Sequence, residues 1–131
     1  MNINDRPRRA FRRRSVQIEA TIRFRPPRTL STSVEALTLV GYTRNLSENG
    51  MALVVSASNI DRYLRQKENI FQVRLRLPNG TIELQALPVH YQRIASGGLV
   101  HYLIGSSFQE LDDERLNKLV GFLRALPAPS Q

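Results

Sequence analysis

Apolar and polar residues alternate with a period of two along much of the chain, which predicts strands with one buried face. The first such segment runs from Val16 to Phe24 and ends at Pro26-Pro27. Residues 26–35 are rich in Pro, Ser and Thr and predict a loop. Further strands are expected from Ala36 to Thr43 and from Met51 to Val55.

Two turn sequences organise the second half of the chain. Pro78-Asn79-Gly80 separates the alternating segments Phe71–Leu77 and Ile82–Ala86, which predicts a hairpin. Residues 95–98 (Ala-Ser-Gly-Gly) turn the chain into a last strand, Leu99–Phe108.

A proline interrupts the strand that precedes this last turn. Pro88 has no backbone N–H to donate, so the segment Val89–Ile94 follows either a bulge or an edge position. Residues 57–69 predict at most one or two helical turns.

A C-terminal helix is expected over about residues 112–126. Acidic residues from Asp112 suit its positive N-terminal end, and Pro127 ends it. One face carries its apolar residues, which are Leu116, Leu119, Val120 and Leu123. The predicted fold is mainly β: a six-stranded antiparallel β-barrel with this helix packed on it.

Charge is concentrated at the N-terminus. The formal net charge is +8, and residues 1–14 hold six Arg against one Asp. We therefore expect a flexible Arg-rich arm (1–14), a barrel domain with its helix (15–126) and a tail (127–131). Of the 19 basic residues only Lys67 and Lys118 are lysines. The guanidinium forks of the others suit phosphate oxygens and guanine edges.

Several function classes have no support in the sequence. The chain has no cysteine, no secretory signal and no apolar stretch of membrane-spanning length, so we expect a cytoplasmic protein without membrane insertion. His90 and His101 lack neighbouring carboxylates and are interpreted as surface strand residues rather than metal ligands. Ser47 has no identifiable base, and we expect no catalytic residue, metal or cofactor.

Two segments carry candidate chemistry. Arg9 and Arg13 can grip an anionic ligand between two guanidinium groups, although an Arg run is also typical of a solvated tail or a nonspecific polyanion binder. The turn that starts at Asn45 and contains Ser47 closes at Gly50, which either adopts a positive φ or lets a ligand approach the backbone. Alone, such a turn is more often a plain hairpin than a site.

Together these segments resemble the PilZ domain family of bacterial cyclic di-GMP receptors. The family pairs an Arg-x-x-x-Arg arm with an Asp/Asn-x-Ser-x-x-Gly turn, and both are complete here. Arg8 with Arg12 forms a competing pair. The family usually has an apolar strand position three residues after the second arginine, and Val16 fills that position if the pair is Arg9 and Arg13. Residues 103–108, with Gly105, resemble the closing strand of the family.

The resemblance implies a ligand, cyclic di-GMP, and a role for each motif residue. Arg9 and Arg13 would grip phosphates and guanine edges, Asn45 would accept from guanine N–H groups, Ser47 would bond a base or a phosphate, and Gly50 would admit the ligand to the barrel. The possible auxiliary residues are Arg8, Arg12, Arg14, Arg44 and Gly105.

The resemblance implies a non-enzymatic receptor in which ligand orders the arm and signals to an unidentified protein partner. One alternative is a nucleic-acid-binding module that uses the Arg-rich arm, but the strands lack exposed aromatic clusters for base stacking, so nucleic acid is disfavoured. Another is a PilZ-like interaction domain that does not bind nucleotide.

Overall fold

The computed structural model describes residues 13–25, 37–57, 60–65 and 69–127, and within them the chain forms seven strands and two helices. The strands are β1 (Arg14–Ser15), β2 (Glu19–Phe24), β3 (Leu37–Leu46), β4 (Gly50–Ser56), β5 (Phe71–Leu77), β6 (Gly80–Ser96) and β7 (Leu99–Gln109). The helices are α1 (Asp61–Leu64) and α2 (Asp113–Ala125).

Six of the strands close on themselves as an antiparallel barrel. Their order is β3-β2-β5-β6-β7-β4, and β4 pairs back onto β3. Closure leaves none of these six with an unpaired edge. The short β1 pairs with β3 beyond the end of β2. The expected six-stranded barrel with a C-terminal helix is therefore confirmed.

Both predicted hairpin turns join adjacent strands. Leu77 pairs with Gly80 across Pro78-Asn79 in the β5–β6 hairpin. In the β6–β7 hairpin Gly97 and Gly98 have φ values of 57° and 80°, the left-handed conformations that a tight hairpin turn needs and that glycine adopts without strain.

Bulges reverse the inside–outside alternation of two strands. In β6 the register shifts between Pro88 and His90, so the bulge predicted from Pro88 is present, although the strand continues through it. Before the shift Ala86 is buried, and after it Tyr91 packs on the buried core ring Tyr102 at 6.3 Å. His90 consequently lies on the outside of the barrel.

The second bulge lies in β3, where the register shifts between Thr43 and Asn45. Thr43 and Leu46 are both fully buried although they are three residues apart, which regular alternation cannot produce. The extra residue, Arg44, is exposed, and the shift turns Asn45 outward.

The core fills the barrel with aliphatic and aromatic side chains. Phe24 packs on Phe71 with ring centroids 5.1 Å apart, and on Tyr63 of α1 at 5.9 Å. Helix α2 adds Leu119 and Phe122, which are buried, while the other predicted face residues are half-buried. Phe122 was missing from the predicted face, which otherwise matches.

Hydrogen bonds fix the N-terminus of α2 and tie its middle to the β5–β6 turn. The Asp112 carboxylate accepts from the backbone N–H of Arg115 at 2.8 Å and so caps the N-terminus. The amide of Asn79, in the β5–β6 turn, donates to the carbonyl of Lys118 at 3.4 Å, which places the helix beside that hairpin. Neither helix of the described residues has the length and apolarity to cross a membrane.

Thr43 fixes the segment between β1 and β2 by three hydrogen bonds. The Thr43 hydroxyl accepts from the backbone N–H of Ile18 at 2.9 Å and donates to the carbonyl of Val16 at 2.6 Å. Its own backbone N–H donates to the Ile18 carbonyl at 2.9 Å. These bonds bridge the irregular stretch between β1 and β2, so the chain entering the barrel at Arg13 stays alongside β3.

Another buried hydroxyl ties the helical segment before β5 to the barrel. The fully buried Tyr102 donates to the Asp61 carboxylate at 2.5 Å and accepts from the backbone N–H of Ile60 at 3.2 Å.

We expect Tyr102→Phe to lower the free energy of unfolding by about 1–3 kcal/mol, because it leaves a buried N–H without its partner. Urea unfolding measures the change. Tyr42→Phe is the control and should change it by less than about 0.5 kcal/mol, since Tyr42 is exposed.

Burial, reinforced by the hydrogen bond to Asp61, raises the pKa of Tyr102 above its ordinary value. The folded state therefore holds this proton more tightly than the unfolded state. Its contribution to stability is complete below a pH of about 10, the ordinary pKa of tyrosine, and is lost as pH rises through the raised value. Unfolding curves measured at increasing alkaline pH should converge for wild type and Tyr102→Phe; a constant gap would contradict the assignment.

Candidate functional site

The two sequence motifs meet at one hydrogen bond. Nη1 of Arg13 donates to Oδ1 of Asn45 at 3.1 Å, although the residues are 32 positions apart. Pairing of β1 with β3 brings them together, because Arg14 and Ser15 lie opposite Leu46 and Asn45. Both partners of the contact are open to solvent.

Ser47 holds the shape of the turn from inside. Its side chain is fully buried, and its hydroxyl lies 2.6 Å from Oδ1 of Asn49, to which it donates. The backbone N–H of Ser47 donates to the carbonyl of Gly50 at 2.9 Å, which closes the turn. The hydroxyl therefore faces the turn, in contrast to the ligand-facing position that the motif implies.

Gly50 is required by a close contact between strands. A Cβ built on it would lie 2.3 Å from the carbonyl oxygen of Ser106 in β7. Its φ lies outside the left-handed region, so of the two interpretations of this glycine the positive-φ one is wrong. Because Gly50 has no side chain, the first residue of β4 can lie close to β7, directly after the turn.

Four outward-facing residues form a row across the barrel next to this turn. Asn45 pairs with Ala52, Ala52 with Gly105, and Gly105 with His90. We call these four residues the outer row. The strand spacing of ~4.8 Å makes it roughly 14 Å long. Arg13 approaches the row at its Asn45 end.

The possible auxiliary residues occupy different places. Arg14 turns away from the outer row and donates to the carbonyls of Leu123 and Pro127 at the C-terminal end of α2. Arg44 lies on the outer surface in a shallow groove of about 280 Å³ that Tyr42 also lines. The other predicted arm residues, Arg8, Arg9 and Arg12, lie outside the described residues.

The side chain of His90, expected from the sequence to be an ordinary surface residue, occupies the space beside Gly105. A Cβ on Gly105 would lie 2.3 Å from Cε1 and 2.6 Å from Nε2 of His90, so the imidazole occupies that space. The signal for this contact is the bulge after Pro88, which fixes the register. His101 lies farther along β7, opposite Ile94, so the two histidines are not paired.

The outer surface around the row favours an anion. Strands β3, β4 and β7 and residues 88–96 of β6 contain no Asp or Glu, so the acidic residue nearest in sequence to Asn45 is Glu48 of the adjoining turn. The described residues also contain no cluster of three or more His, Cys, Asp or Glu side chains that could hold a metal ion.

A larger groove of about 350 Å³ lies elsewhere and is lined by both charge signs. Arg74 in this groove pairs with Glu83 at 2.6 Å, and Arg115 pairs with Asp112 at 2.7 Å. These guanidinium groups already have carboxylate partners. The third guanidinium of the groove, Arg23, has no carboxylate partner among the described residues, but Glu83 and Glu110 also line this groove. The outer row beside Arg13 has no such carboxylate on its strands and is therefore the better anion site.

Comparison with known proteins places the chain in a family. The family model described as the PilZ domain matches residues 7–125. The chain belongs to the PilZ domain family, as the paired arginine and Asn-x-Ser-x-x-Gly motifs indicated. No curated protein matches the chain at the sequence level.

Solved structures similar to this chain share its fold at low sequence identity. The PilZ domain of YcgR from Escherichia coli, solved with c-di-GMP, has a TM-score of 0.61 and 15% identity over 89% of this chain and 92% of that one. The K. pneumonia MrkH–c-di-GMP complex has a TM-score of 0.61 and 14% identity over 87% of this chain and 50% of that one. PlzA from Borreliella burgdorferi, solved in complex with c-di-GMP, has a TM-score of 0.52 and 12% identity over 99% of this chain and 53% of that one.

The close approach at Gly50 predicts opposite effects for one substitution at two glycines. Gly50→Ala places a methyl group against the Ser106 carbonyl and should lower the free energy of unfolding by about 1–3 kcal/mol. Gly121→Ala is the control. Gly121 is exposed in α2 with nothing within 4 Å of its Cβ position, so the higher helix propensity of alanine should raise the free energy of unfolding by about 0.5–1 kcal/mol. Denaturant unfolding of both variants checks the signs, and a neutral Gly50→Ala would refute the steric requirement.

Proposed function

We propose that this chain is a cyclic di-GMP receptor that binds the dinucleotide on the outer row between the Arg-rich arm and the Asn45 turn. The observation that carries the proposal is the hydrogen bond from Arg13 to Asn45, which joins the two motifs at one surface. Membership of the PilZ family and the c-di-GMP bound to YcgR, MrkH and PlzA support the choice of ligand.

Arg13 supplies the charged part of the contact. A guanidinium has five N–H donors, so it can keep Asn45 as a partner while it donates to a phosphate or to the acceptor edge of guanine. Asn45 offers an amide that both accepts and donates. Arg9, and the auxiliary residues Arg8, Arg12 and Arg44, would add further donors around the ligand.

Ser47 and Gly50 contribute by placing the turn. The buried hydroxyl of Ser47 holds Asn49 and so fixes the loop from which Asn45 projects. Gly50 brings β4 against β7, which keeps the surface beside the turn low enough for a ligand to reach it. In this proposal direct ligand contact through the Ser47 hydroxyl requires the turn to rearrange.

The ligand acts by ordering the arm, and the chain itself carries out no reaction. Fixing a flexible segment costs conformational entropy, which charge-assisted hydrogen bonds to the ligand offset. The ordered arm and the ligand then present a new surface to a protein partner. Arg14 offers a route to that partner, because it links the start of β1 to the end of α2.

Isothermal titration of the full chain with cyclic di-GMP tests the proposal and gives the stoichiometry. We expect binding by the wild type and an affinity at least about tenfold lower for Arg13→Ala, because hydrogen bonds to charged groups contribute about 1.5–3 kcal/mol each. The matched control is Arg23→Ala, which removes the same group from β2 near its far end, opposite Thr38, and should leave the affinity unchanged.

Three outcomes would contradict the receptor proposal: no heat from the wild type, full affinity in Arg13→Ala, or equal losses in both variants. A labelled oligonucleotide added in parallel separates the alternative function. Binding to the oligonucleotide that weakens steeply with salt, without competition by the dinucleotide, would favour a nucleic-acid-binding arm.

A further inference from the structure

His90 occupies the end of the outer row opposite Arg13. Its Nδ1–Cε1–Nε2 edge fills the space that any side chain at position 105 would need, with Nδ1 at 2.9 Å from that Cβ position. The imidazole thus lies over the neighbouring strand β7 at a place defined by the glycine. It remains exposed and makes no hydrogen bond within the described residues.

The row between His90 and the Arg13 contact is uncharged and nearly closed to solvent, with Gly105 lying against the imidazole. Its two middle positions are Ala52 and Gly105, which have the smallest side chains available to a strand. The guanidinium stands at one end and the imidazole at the other, roughly 14 Å away by strand spacing. An extended ligand that lies along the row therefore meets a cation first and a flat ring last.

We propose that His90 forms a subsite for an aromatic base of the ligand at this end of the outer row. The inference rests on the proposed function and adds which part of the ligand each end of the outer row contacts. Phosphate and guanine edges pair with the arginines, and one purine ring contacts the imidazole.

Histidine is chemically suited to contact a purine base. Aromatic side chains, histidine among them, bind unstacked bases through their π faces, and every purine presents such a face. The free ring nitrogens can also hydrogen-bond to the edge of a base. Substituting Gly105 by a larger residue would push the imidazole off the barrel surface, so the glycine serves the subsite through His90.

Calorimetric titration of the full chain with cyclic di-GMP compares wild type with His90→Ala and His90→Phe. We expect His90→Ala to raise the Kd about tenfold, the effect of losing one base-stacking contact. His90→Phe should stay within about threefold of the wild type, because it keeps a flat ring. His101→Ala, the matched control on the same outer surface, should bind like the wild type.

Proton NMR of the imidazoles gives a second measurement that a purely structural role would not affect. On saturation with cyclic di-GMP the ring C–H resonances of His90 should move upfield beneath the base, whereas those of His101 should stay in place. Unfolding curves check that each variant is folded.

The outcomes separate the two proposals. Wild-type affinity in His90→Ala together with loss of binding in Arg13→Ala overturns the subsite and leaves the receptor. Equal weakening by His90→Ala and His101→Ala also overturns it, since the effect is then general to the surface. Absence of binding by the wild type overturns both.

Discussion

The candidate site depends on the strict alternation of side chains along a strand and on two breaks in it. In an unbroken β3 the residue two after the buried Thr43 would point into the core, and in an unbroken β6 the residue four after the buried Ala86 would do the same. Those residues are Asn45 and His90. One inserted residue in each strand, Arg44 and Val89, turns them outward while apolar residues resume the inner face. The barrel thus carries Asn45 and His90 on its outer surface instead of burying their polar side chains.

The site is otherwise built from parts of unequal rigidity. Closure of β4 onto β3 and the packed interior fix Ala52 and Gly105, and the buried hydroxyl of Ser47 fixes the turn. Arg13 depends instead on the short β1 and on the bonds of Thr43 to the stretch between β1 and β2. The position of Arg13 beside the packed barrel therefore depends on these few contacts.

Sequence patterns predicted the fold well because each rule they use acts locally. Period-two alternation placed the strands, and Pro78-Asn79-Gly80 and the glycine pair before Leu99 placed the hairpins. Pro88 predicted a bulge, but whether it turned His90 inward or outward depended on the register against β7. The burial of Ser47 and the contact of Gly50 with Ser106 were likewise inaccessible, because both arise between strands distant in sequence. The roles proposed for Arg8, Arg9 and Arg12, which lie outside the described residues, rest on the motif alone.

Arg13, just before β1, and Arg14, its first residue, make contacts on different sides of the chain, one with Asn45 and the other with the Leu123 carbonyl near the end of α2. The end of α2 and the Asn45 end of the outer row are therefore contacted by two adjacent residues of one backbone segment. Thermodynamic linkage is reciprocal: a protein that grips α2 differently when Arg14 is engaged changes the affinity for the ligand by the same factor that the ligand changes the affinity for that protein. Under the proposed function, a partner that reads the end of α2 would therefore also change the affinity for cyclic di-GMP, and the apparent affinity would vary with the concentration of that partner.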